Sequence, residues 1–123
     1  MTTVRSTVLL LTAVLFAGAC SYVSFVEEIT VVNQTAYPAD VGVSDESRQE
    51  WLNLTTAQGN QEATVREVID QGAVWIFRFD YAGKHEEEIE MPRSELVRAG
   101  WRVEVPESFS DELERLGVEP PPP

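Results

Sequence analysis

One cysteine, one histidine and 21 carboxylates are the groups with which this chain of 123 residues could do chemistry. Acyl or peptide hydrolysis needs a nucleophile, a base and a group that orients the base. Cys20 closes an apolar leader, no serine sits in a Gly-x-Ser-x-Gly turn, and His85 stands beside the Gly83 turn without a recognisable partner. His85 is therefore expected to be exposed, and no catalytic residue is assigned. One histidine cannot build a transition-metal site, which needs clustered ligands at fixed spacing, so no metal site is assigned. The seven glycines are scattered singly and form no phosphate-cradling loop, and no cofactor is expected. Glycoside hydrolysis asks only for two carboxylates, and among so many acids a pair arises by chance. The densest acidic run, Glu86-Glu87-Glu88 with Glu90, lacks the Asp/Asn/Gly spacing of a calcium loop and reads as a solvated strand.

Binding asks for different side chains. Trp51, Trp75 and Trp101 offer large apolar faces to a sugar, a peptide or a lipid, and equally to a core. Arg78, two residues before Asp80 on the less apolar face of one strand, joins them as the fourth candidate; it can also form a solvated cross-strand pair.

These groups are delivered to a particular place. Arg5, the apolar run Val8 to Phe16 and the small residues Ala17-Gly18-Ala19 have the anatomy of an export signal over residues 1–19, cut between Ala19 and Cys20. Small residues followed by cysteine resemble the lipobox of bacterial lipoprotein precursors, with Ala17 at the position that usually holds leucine. The resemblance implies that Cys20 carries acyl chains and anchors the chain to the cell membrane on its extracytoplasmic side. Lipidation also removes a lone thiol that a secreted protein would otherwise leave reactive. Two alternatives remain: free secretion after cleavage, or an uncut transmembrane helix over the uncharged span Ser6 to Val26. Residues 20–27 form a tether, and residues 21–27 reach about 23 to 25 Å when extended.

Nine basic residues against 21 acidic ones give a net charge of −12, one unit more negative once Arg5 leaves with the signal. Such a surface keeps small domains apart and repels phosphate backbones and anionic headgroups, so nucleic acid is excluded as a partner. What remains is a membrane held through the lipid, together with an envelope protein or a small ligand.

The elements that must position the candidates are mostly strands. Short alternating segments between turn signals predict strands at Ile29 to Val32, Tyr37 to Val43, Trp51 to Leu54, Thr64 to Ile69, Trp75 to Tyr81, His85 to Met91 and Trp101 to Val105. Trp75, Phe77, Phe79 and Tyr81 share one face as a core wall or a binding wall. Pro92 opens a helical turn over Arg93 to Ala99, and Phe109, Leu113 and Leu116 make one stripe of a helix over Ser108 to Leu116 that crosses an edge or end of the sheet. The expected fold is one β-rich domain over residues 28–117, an antiparallel β-sandwich of about seven strands, immunoglobulin-like in general shape. A small β-barrel is the alternative, and residues 118–123 form a proline-rich disordered tail.

Ile29-Thr-Val-Val-Asn, Trp75-Ile-Phe-Arg-Phe and Trp101-Arg-Val-Glu-Val-Pro106 are similar to segments of small lipoproteins of high-GC Gram-positive bacteria. That likeness implies location and no activity. The expectation is an envelope-anchored, non-enzymatic interaction module; the alternatives are a two-carboxylate glycan hydrolase and a purely structural envelope protein.

Overall fold

A computed structural model of the chain describes residues 23–123. The expected export signal and the expected lipidation site Cys20 lie outside the described residues. The elements run β1 (Phe25–Asn33), β2 (Ala39–Asp45), β3 (Leu52–Ala57), β4 (Gln61–Ile69), β5 (Val74–Tyr81), β6 (His85–Pro92), α1 (Arg93–Arg98), β7 (Arg102–Glu104) and α2 (Glu107–Arg115). They form two separate sheets, ordered β4-β1-β7 and β3-β2-β5-β6. Neither closes into a barrel, and the architecture is a seven-stranded sandwich. Its strand order is its own: β2 and β5 are neighbours as in an immunoglobulin constant domain, but β3 and β6 flank them rather than β1 and β4.

Alternation decides which side chains fill the space between the sheets. Ala39, Val41 and Val43 of β2 and Trp75, Phe77 and Phe79 of β5 are buried, so the aromatic face is a core wall. From the other sheet come Ile29, Val31 and Val103. Helix α1 adds Leu96, and α2 adds Phe109 and Leu113 while lying against β6, the edge strand of the larger sheet. Burying that much aromatic and branched surface is the main stabilising term of such a domain.

One end of the sandwich is locked by a buried amide. Asn33 donates from Nδ2 to the carbonyls of Tyr37 (2.8 Å) and Ala57 (2.9 Å), and its Oδ1 accepts from the Thr35 N–H (3.0 Å) and hydroxyl (2.7 Å). All of its hydrogen-bonding capacity is thus spent on the β1–β2 turn and the end of β3, tying the two sheets together. Gly59 lies against the same turn, its virtual Cβ only 2.7 Å from the Ala36 carbonyl oxygen.

Several boundaries differ from the sequence reading. β1 begins at Phe25 and buries Val26, so the last three residues of the expected tether belong to the ladder. A helix over Ser6 to Val26 cannot run its full length for the same reason. Among the described residues no helix is long and apolar enough to cross a membrane. β1 is also central, antiparallel to β4 and parallel to β7. Leu116 leaves the expected apolar stripe and is exposed, whereas Val118, expected in the tail, packs on the core and accepts a 2.6 Å bond from the Tyr37 hydroxyl. His85 is not exposed as expected: its side chain is 22% accessible, because its ring lies 6.0 Å from that of Phe109 and 3.4 Å from a Glu87 oxygen.

Candidate binding groove

The outer face of the larger sheet is laid out by register. Asp40 stands opposite Thr56 on one side and Asp80 on the other, and Asp80 opposite Glu86, making one row across all four strands. The next row reads Asn53, Gly42, Arg78 and Glu88. A third pairs Ser44 with Ile76 and Ile76 with Glu90. Ile76 and Ser44 are fully buried although they face outward. The β2–β3 loop accounts for this: its Arg48 reaches across to Glu88 (2.9 Å) and Glu90 (3.1 Å). Those two carboxylates raise the Arg48 pKa, chiefly through the hydrogen bonds they accept. The loop is set by Asp45, which accepts from the Ser47 hydroxyl and N–H and is thereby lowered below the usual carboxylate range.

The first two rows stay open as a groove of about 580 Å³ lined by Asp40, Gly42, Asn53, Thr56, Arg78, Asp80 and Glu86 among others. Its floor is Gly42. A Cβ there would make ordinary contacts, 3.4 Å from the Leu52 carbonyl oxygen, 3.8 Å from Trp51 and 3.9 Å from Arg78, so a side chain larger than a methyl would have to displace one of the two large groups. Trp51 precedes β3 and turns onto this face, and the Arg78 guanidinium carbon lies 4.0 Å from the centre of its ring. This is a cation–π contact, in which the positive plane meets the electron-rich ring face. β3 bulges beside it: Val41 pairs with Thr55 and Gly42 with Asn53, leaving Leu54 as the extra residue. A bulge increases local twist and re-aims side chains, here at the groove wall.

The charges in the groove do not cancel one another. Among the described residues Arg78 makes no ion pair, Asp40 accepts from the Thr56 hydroxyl at 2.6 Å, and Asp80 accepts from the Gly83 N–H at 3.2 Å. The pairing of Arg78 with Asp80 that the sequence allows is thus replaced by stacking on Trp51. Three carboxylates on one row favour a positively charged ligand, while Arg78, Asn53 and Thr56 add hydrogen-bonding groups.

The four candidates of the sequence separate into two pairs. Arg78 lines the groove, and Trp51 stacks against it without lining the groove itself. Trp75 is fully buried, donating to the Gly72 carbonyl at 3.1 Å, and Trp101 packs edge-on against it at 5.3 Å with Arg93 over its outer side. They belong to the core. Gly42, Asn53 and Thr56 escaped the sequence reading, although a lone glycine inside an alternating strand is itself a sign of a bulge or a close approach. No group of three or more His, Cys, Asp or Glu side chains among the described residues is placed to hold a metal ion. No protein-family model, curated protein or solved structure matches the chain.

Proposed function

We propose that the chain is an envelope-anchored, non-enzymatic lipoprotein held by acylated Cys20, whose domain binds a basic segment of an envelope protein in the groove between β3 and β6. The observation that carries the reading is the Arg78–Trp51 stack over Gly42. It occupies Arg78, the groove's one cation among the described residues, and leaves the Asp40, Asp80 and Glu86 row available to a partner's Lys or Arg. Charge complementarity of this kind steers association and weakens with salt. The test is a photo-crosslinking amino acid at Asn53 of the full chain in a bacterial host. One discrete protein adduct, lost on Asp40→Asn with Asp80→Asn, supports the reading; no adduct at any groove position overturns it. Intact mass of the membrane fraction, with and without an inhibitor of the lipoprotein signal peptidase, tests the anchor.

The register that sets Asp40 opposite Asp80 supports a second reading, a glycan hydrolase acting through two carboxylates. Release of cell-wall sugars by the purified protein, abolished by either Asp→Asn change, would establish it in place of the first.

A further inference from the structure

Five large apolar side chains are exposed among the described residues, and three of them, Val23, Phe25 and Ile69, sit together. Phe25 stands directly opposite Ile69 on the first rung of the β1–β4 ladder, and the bond from the Asp70 N–H to the Ser24 carbonyl (2.9 Å) carries that pairing back toward Val23. Phe25 and Ile69 are 57% and 43% exposed although paired in the sheet, Val23 just ahead of β1 is 60% exposed, and the adjacent Val26 and Val68, on the opposite face, are buried. The outer surface of this ladder admits polar residues, as it does further along, where the exposed Glu28 faces the exposed Arg66. Single exposed apolar residues need no explanation, but a contiguous patch marks a surface that something covers.

The position of the patch says what covers it. Val23 is three residues from Cys20, hence within about 11 Å of it at ~3.3 to 3.6 Å per residue. The patch is therefore the part of the domain that meets the bilayer first. We infer that Val23, Phe25 and Ile69 seat this end of the sandwich in the headgroup region of the membrane, so that the lipid anchor and the first rung together hold the domain upright. The inference rests on the lipid-anchor part of the proposed function. Apolar and aromatic side chains at the boundary of headgroup and acyl chain are favourable there, while Glu27 and Glu28, next along β1, keep the insertion to the first rung. The second row of the groove lies at Gly42, three residues along β2 from Asp45 at the membrane end, and the first row further out at Asp40. The seated domain thus offers its groove to the envelope rather than to lipid.

The full lipidated chain, reconstituted in phosphatidylcholine vesicles containing doxyl-labelled phosphatidylcholine, provides the test. Lipidation consumes the Cys20 thiol, so Ala73→Cys, in the turn after Ile69, and Lys84→Cys, at the opposite end, can each carry a single environment-sensitive dye. A blue-shifted emission quenched by the doxyl lipid at position 73 but not at 84, and relieved by Phe25→Ser with Ile69→Ser, is the expected result. Lipidated, membrane-bound protein whose label at 73 is no more quenched than that at 84 overturns the seating while leaving the anchor intact. Cys20 without acyl chains and protein in the soluble fraction overturn both. A shift at 73 that persists in lipid-free solution together with a doubled mass assigns the patch to a second copy and also overturns the inference.

Discussion

Arg78 stacks on Trp51 with its guanidinium carbon 4.0 Å from the ring centre, although Asp80 is two residues away on the same face. Position explains the choice. The small Gly42 lies beneath both groups, and Asp80 is engaged by the turn at Gly83. A weakly hydrated, planar cation satisfies itself on an aromatic face, and among the described residues Asp40, Asp80 and Glu86 of the next row make no ion pair.

Arg78→Ala is expected to cost stability only about 0.5 to 1 kcal/mol, the range for a partly exposed cation–π pair, and, because it removes a positive charge beside the acidic row, to leave binding of a basic partner intact or tighter. Arg78→Lys keeps the charge and loses the planar stack, which frees the cation to compete for the acidic row, so it should weaken binding more than Arg78→Ala does. Urea unfolding alongside the crosslinking assay separates these outcomes; loss of the adduct on Arg78→Ala would overturn the reading that the stack serves to keep this cation off the acidic row.

Filling the floor should release Arg78 from its stack without removing a charge. At Gly42 an alanine Cβ would sit 3.4 Å from the nearest atom, ordinary contact, whereas the branches of valine must displace Trp51 or Arg78. Gly42→Ala should bind and Gly42→Val should not, with Trp51 fluorescence reporting the displacement.

Asn33→Asp changes one atom and reverses two hydrogen bonds, turning donors to Tyr37 and Ala57 into an acceptor facing carbonyl oxygens. The loss should be at least about 2 kcal/mol in urea unfolding, since buried groups left unpaired cost 1–3 kcal/mol each. A smaller change would mean that the two sheets are not tied at this end by the amide.

Tyr37 sets an alkaline limit. Burial, assisted by the negative charge of Glu114, raises its hydroxyl pKa above the ordinary value of 10.0. The unfolded chain therefore loses this proton first, and the stability it contributes is complete below about pH 10 and falls as pH rises toward the folded value. Tyr37→Phe should flatten this alkaline decline while reducing amide protection at Val118, whose carbonyl loses its 2.6 Å partner. Thermal unfolding between pH 9 and 11 and hydrogen exchange check the two halves.

Gly59→Ala should destabilise by roughly 1–3 kcal/mol, the usual cost of overpacking, because the added Cβ meets backbone at Ala36 rather than a movable side chain. A melting temperature equal to that of the parent would show that the β3–β4 turn can withdraw from the β1–β2 turn.

Much of this architecture was legible in the chain because period-two alternation is a local property. The Trp75 to Tyr81 wall, the β2 face of Ala39, Val41 and Val43, the acidic outer face of β6 and the inward Leu96 all follow from it. Properties that depend on distant partners were not legible. Phe25-Val26-Glu27 reads as the end of the tether, yet Val26 is drawn into the core opposite Val68. Asn33 reads as a turn residue and is instead fully employed inside. Trp51 reads as the start of a strand, but the strand begins after it and the ring folds outward onto β2. Of the three tryptophans only this one stacks on a groove residue, Arg78, and neither its type nor its spacing distinguishes it from the two in the core.

The central place of β1 has a mechanical side. Any pull on the chain ahead of Phe25 enters the sheet along the axis of β1, at right angles to its ladder bonds with β4. Those bonds, and the slanted ones to β7 on the other edge, are loaded in shear and must fail together. A domain pulled through a peripheral hairpin would unzip one bond at a time; this one resists as a block.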